Sequence, residues 1–319
     1  LIYCGYIGGG WGRGIAVDSA GCAHVTGYSN TEEASLPVIA GPDLTRNDKR
    51  YGDAFVAKVN AAGTAFDYCG YIGGNGNDYG YGIAVDSAGC AYVTGCTRSY
   101  EDTFPVTMGP DLTHNGDTND NDYYSSDAFV AKVDASGTAL IYCGYIGGLS
   151  FDAGYGIAVD YAGCAYVTGC TYSFEDSFPV TVGPDLTHNG NRHDNSYYLR
   201  DAFVAKVNET GTHLDYCGYI GGRSFDEGNG ISVDYAGCAY VIGFTGSSED
   251  TFPVTVGPDL TFDPNVPKEY DYLPCDAFVA KIYARPYDTR PPWPRHYFPI
   301  LEPKSPQKLH RPDGKSQRQ

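Results

Sequence analysis

"GIAVDSAGCAYVTGC", residues 82–96, is one of four near-copies of a single fifteen-residue phrase. It stands beside "GIAVDSAGCAHVTGY" at 14–28, "GIAVDYAGCAYVTGC" at 156–170 and "GISVDYAGCAYVIGF" at 230–244. Two more phrases keep the same order. "DAFVAKV" begins at Asp53, Asp127 and Asp201, with "DAFVAKI" at Asp276, and "YCGYIGG" begins at Tyr3, Tyr68, Tyr142 and Tyr216. Self-similarity at such a period is the signature of a repeat architecture.

Each copy parses into short β-rich runs separated by turn residues. "GIAVD" and "CAYVTG" are joined by Ser-Ala-Gly or Tyr-Ala-Gly, a hairpin turn. A longer loop with "FPVTVGPDL" or its relatives leads to "DAFVAKV", and "NAAGTA" or "DASGTA" turns that strand into "YCGYI". Four antiparallel strands a, b, c and d per unit make a propeller blade. Read from Leu1, the order is d, then abcd three times, then abc. The expected fold is therefore all-β: a four-bladed β-propeller over residues 1–283, closed by residues 1–9 pairing with 276–282, which removes exposed sheet edges. The competing arrangement gives the same strand to a neighbouring molecule.

"DYGYGIAVDSAGCAYVTG", "FPVTMGPDLT" and "DAFVAKVDASGTALIYCGYIGG" resemble the bacterial β-propeller repeat family known as SBBP, over roughly residues 1–283. The resemblance implies the fold and an exported or cell-surface location, and brings no catalytic machinery. The family name implies seven blades where four are countable here, and the family usually has Asn where Cys22, Cys90, Cys164 and Cys238 stand.

Composition agrees with a turn-dense, extracellular all-β chain: 42 Gly, 29 Tyr and 11 Cys among 319 residues. The net charge of -18 argues against a nucleic-acid groove, which needs a basic face. No apolar run is long enough to span a membrane. Leu1 rather than Met stands first and no signal peptide is visible, so the chain is read as processed or partial.

Eight cysteines follow the repeat and pair in sequence as Cys4 with Cys22, Cys69 with Cys90, Cys143 with Cys164, and Cys217 with Cys238. Four inter-blade disulfides are the expectation, each closing a loop of about 20 residues worth roughly 3 kcal/mol; the alternative is eight buried thiols. Cys96 and Cys170 end strand b, and unmatched Cys275 is the candidate for a free or intermolecular thiol. Asp18, Asp86, Asp160 and Asp234 are a candidate calcium ring around the propeller axis. Their alternative role is to cap the a–b turn or pair with Lys58, Lys132, Lys206 and Lys281. No other cofactor is implied.

"NGDTNDNDYYSSD", with Asp117, Asn119, Asp120 and Asp122, is read as a solvated acidic loop. Asn208 begins a glycosylation sequon, and His114 and His188 are read as surface-loop histidines. No nucleophile has an assignable base, so no enzyme is expected. Tyr123, Tyr124, Tyr197 and Tyr198 are candidates for stacking on glycans.

Residues 284–319 form a second region, an extended Pro-rich basic arm with eight prolines between Pro286 and Pro312 and a net charge of +5, which leaves -23 on the body. Trp293, Tyr297, Phe298, Ile300 and Leu301 are candidate anchors on a neighbouring copy. The reading is an extracellular structural protein that self-assembles, as a homo-oligomer or surface filament, through this arm or the N-terminal strand. The alternative is a secreted, lectin-like propeller with glycans as partners.

Overall fold

A computed structural model describes residues 1–30, 36–47, 50–116, 125–190, 199–264 and 274–283. The loop residues Asp117–Asp122, the tyrosine pairs 123–124 and 197–198, and the arm with its anchors lie outside the described residues.

Among the described residues, fifteen strands build four antiparallel sheets and there is no helix. The first sheet holds β1 (Trp11–Val17), β2 (Ala23–Ser29), β3 (Asp53–Val59) and β4 (Phe66–Ile72). The second holds β5 (Asp78–Val85), β6 (Ala91–Thr97), β7 (Asp127–Val133) and β8 (Leu140–Ile146). The third holds β9 (Asp152–Val159), β10 (Ala165–Thr171), β11 (Asp201–Val207) and β12 (Leu214–Ile220). The fourth holds β13 (Asp226–Val233), β14 (Ala239–Thr245) and β15 (Asp276–Ile282). Neighbours in sequence are neighbours in each sheet, the meander that the repeated phrases predict.

The burial pattern explains the phrases. "AYVTGCT" of β6 is buried at every position, because sheets cover both of its faces. Such a strand reads as continuous apolar and small residues rather than as an alternation. Tyr92, Val93, Phe129 and Tyr142 are all inaccessible to solvent. The a–b turn is closed by the Gly89 N–H donating to Asp86 O at 3.0 Å, with Gly89 at φ +84°, a left-handed conformation that a Cβ disfavours. Strand a carries a bulge in every sheet, at Gly80/Gly82 in the second.

Adjacent sheets pack through their a strands: β1 on β5, β5 on β9 and β9 on β13. The first and fourth sheets are therefore the two ends of a row. A Cβ on Gly14 would lie 2.9 Å from Tyr81 O, and one on Gly156 would lie 3.0 Å from Gly230 Cα, whereas Gly230 meets no further sheet.

The expected pairing of residues 1–9 with β15 is not formed. Residues 1–8 belong to no strand, and among the described residues the fourth sheet has three strands. The N-terminal segment lies instead against the first sheet. Tyr3 packs over Gly63 at the c–d turn as Tyr68 packs over Gly137 of the second sheet, and Ile7 joins the core of Val25 and Phe55. It thus holds the place of a strand d preceding the first sheet, at the opposite end of the row from β15.

Candidate functional sites

The four repeated aspartates proposed as a cation ring are turn caps. Oδ1 of Asp86 accepts the N–H groups of Ala88 and Cys90, both at 2.9 Å, and Asp18, Asp160 and Asp234 repeat the motif. Oδ2 faces the strand-c lysine: Lys58 at 2.9 Å, Lys132 at 3.5 Å, Lys206 at 3.8 Å and Lys281 at 3.5 Å. It also accepts from Tyr92, Tyr166 and Tyr240, and His24 takes that place in the first sheet. Burial alone would raise Asp18, but hydrogen bonds from Lys58, the Cys22 N–H and His24 outweigh it and hold the carboxyl well below its usual range. No three His, Cys, Asp or Glu side chains converge as a metal site among the described residues. Asp160→Ala is expected to cost about 2 kcal/mol, because it leaves two turn amides without their acceptor and removes one of the two carboxylates beside Lys206, with Asp215 at 3.5 Å remaining. Asp160→Asn, which keeps Oδ1, should lose less in the denaturant midpoint.

The expected disulfides are not formed, and all eleven cysteines are free thiols. Side-chain alternation along strand d gives the reason. Tyr68 faces the next sheet, where Gly137 lies beneath its ring, so Cys69, one residue on, faces the other way. Cys69 sits with Leu36, Phe55 and Tyr71, whereas Cys90 packs on the cluster containing Tyr92 and Tyr142. Cys143 and Cys164 likewise fall in separate clusters. The buried-thiol alternative is what the structure shows, with burial pushing Cys69 up to about 12. Cys96 and Cys170 lie beside the hydroxyls of Tyr81 and Tyr155, at 3.8 and 3.4 Å. Cys4 and Cys275 are exposed.

His114 and His188, expected on the surface, are buried at 5 and 4 % exposure. His114 packs edge-on to Tyr145 with 5.6 Å between centroids, its Nδ1 accepts the Gly116 N–H, and its Nε2 lies 3.3 Å from Thr97 O. Asn208 caps the c–d turn, Oδ1 accepting the N–H groups of Thr212 and His213 at 2.7 and 3.2 Å.

A second set of aspartates was not singled out in the sequence. Asp53, Asp78, Asp127, Asp152, Asp201 and Asp226 open strands c and a and are completely buried. They meet two by two across sheet junctions. A Cβ on Gly73 would lie 2.8 Å from Asp53 Cγ and 2.9 Å from Asp78 Oδ2. Asp78 accepts from Thr97 and Ser99 hydroxyls and from the Gly74 N–H, and Asp53 accepts from the Asn47 N–H at 3.1 Å. Burial pushes Asp78 and Asp152 up to about 7 and Asp53 to about 8, and it carries Asp127 and Asp201 well above the carboxylate range. Repetition of the Asp before "AFVAK" and of the Asp four residues before "GIAV" was the available signal. Gly10 stands at the latter place in the first sheet.

At the a–b turns of the third and fourth sheets, Tyr161 and Tyr235 are 80 and 90 % exposed and stack with 5.3 Å between ring centroids and 22° between planes.

Comparison with known proteins matches residues 68–100, from β4 through β6, to the SBBP model, described as a beta-propeller repeat. No curated protein matches the chain. Among solved structures, a luciferin-regenerating enzyme aligns at 10 % identity over 73 % of this chain and 83 % of that one, with a TM-score of 0.22. The matched stretch spans the junction from the first sheet to the second and is similar to a β-propeller repeat of the SBBP family.

Proposed function

We propose that this chain is an extracellular structural protein whose four sheets act as the blades of a propeller unit, and that the units self-assemble end to end into a filament. One comparison among equivalent positions carries the reading. Val56, Val130 and Val204 are inaccessible, whereas Val279 of the fourth sheet is 67 % exposed. At the other end Ile15 is 69 % exposed, whereas Ile83 and Ile157 are 7 and 8 % exposed. Val17 at 62 % and Ile242 at 57 % enlarge the two faces. Covering each such side chain contributes roughly 1.5 to 3 kcal/mol, and apolar faces of this kind mark interaction sites. A head-to-tail contact that does not close yields a filament. The basic arm, attracted to an acidic body, supplies a second contact in this reading.

Sedimentation velocity and electron microscopy of the full chain test it. The expected result is concentration-dependent polymers that Val279→Asp combined with Ile15→Asp reduces to monomer. A wild-type chain that stays monomeric at every concentration overturns the proposal. A glycan-binding reading is favoured by the Tyr161–Tyr235 stack, since exposed parallel rings suit sugar faces. Its test is glycan-array binding that Tyr235→Ala abolishes.

A further inference from the structure

From the vacancy in the fourth sheet and the side chains of residues 3–7, we infer that strand d of that sheet is supplied by the N-terminal segment of a second copy of this chain, in one defined register. The inference rests on the self-assembly reading and names its contact.

The first three sheets show what strand d does. In each, its Tyr-Cys-Gly-Tyr-Ile lies antiparallel to strand c: Ile146 opposite Ala128, Tyr145 opposite Phe129, Gly144 opposite Val130, Cys143 opposite Ala131 and Tyr142 opposite Lys132. The other edge of strand d takes the loop between strands b and c. Tyr71, Tyr145 and Tyr219 donate their N–H groups to Asp43 O, Asp111 O and Asp185 O at 2.8, 2.9 and 2.8 Å. Gly144 and Gly109 meet backbone to backbone, as do Gly70 with Gly41 and Gly218 with Gly183. Phe104 and Phe178 pack on Tyr145 and Tyr219 at 5.4 and 5.5 Å, and those two hydroxyls donate to Ser99 O and Ser173 O, each at 3.0 Å.

Among the described residues, every acceptor of this arrangement is present in the fourth sheet and no strand d pairs with β15. Phe252 packs on Phe278 at 5.1 Å, as Phe104 does on Phe129, but faces no tyrosine. Among the described residues no strand d lies against Gly257, the counterpart of Gly109, and Val256 beside it is 95 % exposed. Every donor is present in residues 1–7, "LIYCGYI", which repeat β8 letter for letter. Gly5 has nothing within 4 Å of its would-be Cβ, and Tyr6 is 101 % exposed where Tyr71, Tyr145 and Tyr219 are inaccessible.

The segment is already posed for a neighbour. Tyr3 and Ile7 hold it on the first sheet as Tyr68 and Ile72 sit on the second, which leaves Cys4 and Tyr6 on the open side. A second copy can therefore bring up its β15 edge and its 249–262 loop without unseating the segment. In the resulting sheet Ile7 lies opposite Ala277, Tyr6 opposite Phe278, Gly5 opposite Val279, Cys4 opposite Ala280 and Tyr3 opposite Lys281, and the Tyr6 N–H donates to Asp259 O. The new junction reproduces the contact between consecutive sheets within one chain. Main-chain pairing of this kind is strand addition to an open edge.

An antiparallel pair places Cα atoms about 4.5 to 5.5 Å apart, within disulfide range. Ala280→Cys in the full chain, mildly oxidised, is expected to give a ladder of dimers and larger species on a non-reducing gel. The linkage should map to Cys4 by mass spectrometry, and the ladder should fall at least about tenfold in a Cys4→Ser background. An unchanged far-UV circular dichroism spectrum shows that the variant is folded. Linkage inside a single chain, or a ladder that ignores Cys4→Ser, overturns the inference. Polymers seen by sedimentation without this linkage overturn the register while leaving self-assembly standing, and a chain that is monomeric throughout overturns both.

Discussion

The melting temperature of this protein is expected to fall as pH rises from about 4.5 to 8, the reverse of what ion-paired carboxylates produce. Six buried aspartates keep their protons in the folded chain to higher pH than in the unfolded one. Asp226 is pushed up to about 6, Asp78 and Asp152 to about 7 and Asp53 to about 8, with Asp127 and Asp201 also raised, all chiefly by burial. Between the unfolded value near 4 and these folded values the native state binds more protons, so its stability drops with rising pH. One pKa unit is about 1.4 kcal/mol, and a rise from 3.8 to about 7 corresponds to a loss on the order of 4 kcal/mol across that window. His24 and His114 act oppositely. Burial lowers both, so each costs stability as pH falls below its unfolded value near 6.5. Two histidines do not cancel six carboxyls, and the net slope above about pH 6.5 is negative. Asp127→Asn, isosteric with the protonated acid, should match wild type at pH 4.5 and exceed it by several degrees at pH 8. A wild-type melting temperature that climbs through this window, with no gain from Asp127→Asn, would falsify the assignment.

The architecture was legible because its signals are local. Repeated Asp-Ser-Ala-Gly and Asp-Ala-Ser-Gly fix turns, and the phrases between them are too short and too β-rich for anything but strands. The junctions were less legible because they depend on side-chain parity and on which faces meet. Cys69 and Cys90 recur together, and that recurrence suggested a bridge. One step of alternation at Tyr68 places the thiols in different clusters. The repeated Asp18 set invited a metal reading for the same reason, although its Oδ1 is consumed by amides two and four residues away. Asp53 and Asp78 were overlooked because nothing in a linear reading says that the first residue of a strand is the most buried. His114 was misplaced because "LTHNG" reads as a surface turn, while in space the ring fills the gap between Tyr100 and Tyr145.

Gly144→Val and Gly5→Val are the same substitution at equivalent places of strand d, and they are expected to have opposite consequences. At Gly144 a new Cβ would lie 2.6 Å from Asp111 O and 2.7 Å from Gly109 Cα, inside van der Waals contact with backbone that cannot rotate away. Accommodation requires the 108–111 segment to lift from β8, which breaks the Tyr145-to-Asp111 and Cys143-to-Met108 hydrogen bonds and uncovers Phe104 and Tyr145. Overpacking of a tight site costs about 1 to 3 kcal/mol, and two stranded backbone groups add about 1 to 3 kcal/mol each, so a loss of 4 kcal/mol or more is on the order expected. Gly144→Val should therefore lower the denaturant midpoint sharply or prevent folding. At Gly5 a Cβ meets nothing within 4 Å, so Gly5→Val should leave monomer melting unchanged. If residues 1–7 complete the fourth sheet of a neighbour, however, the added side chain arrives at Gly257 and abolishes polymerisation as surely as its counterpart disrupts the second sheet. A Gly5→Val protein that still polymerises shows that no such close approach exists at the junction between copies.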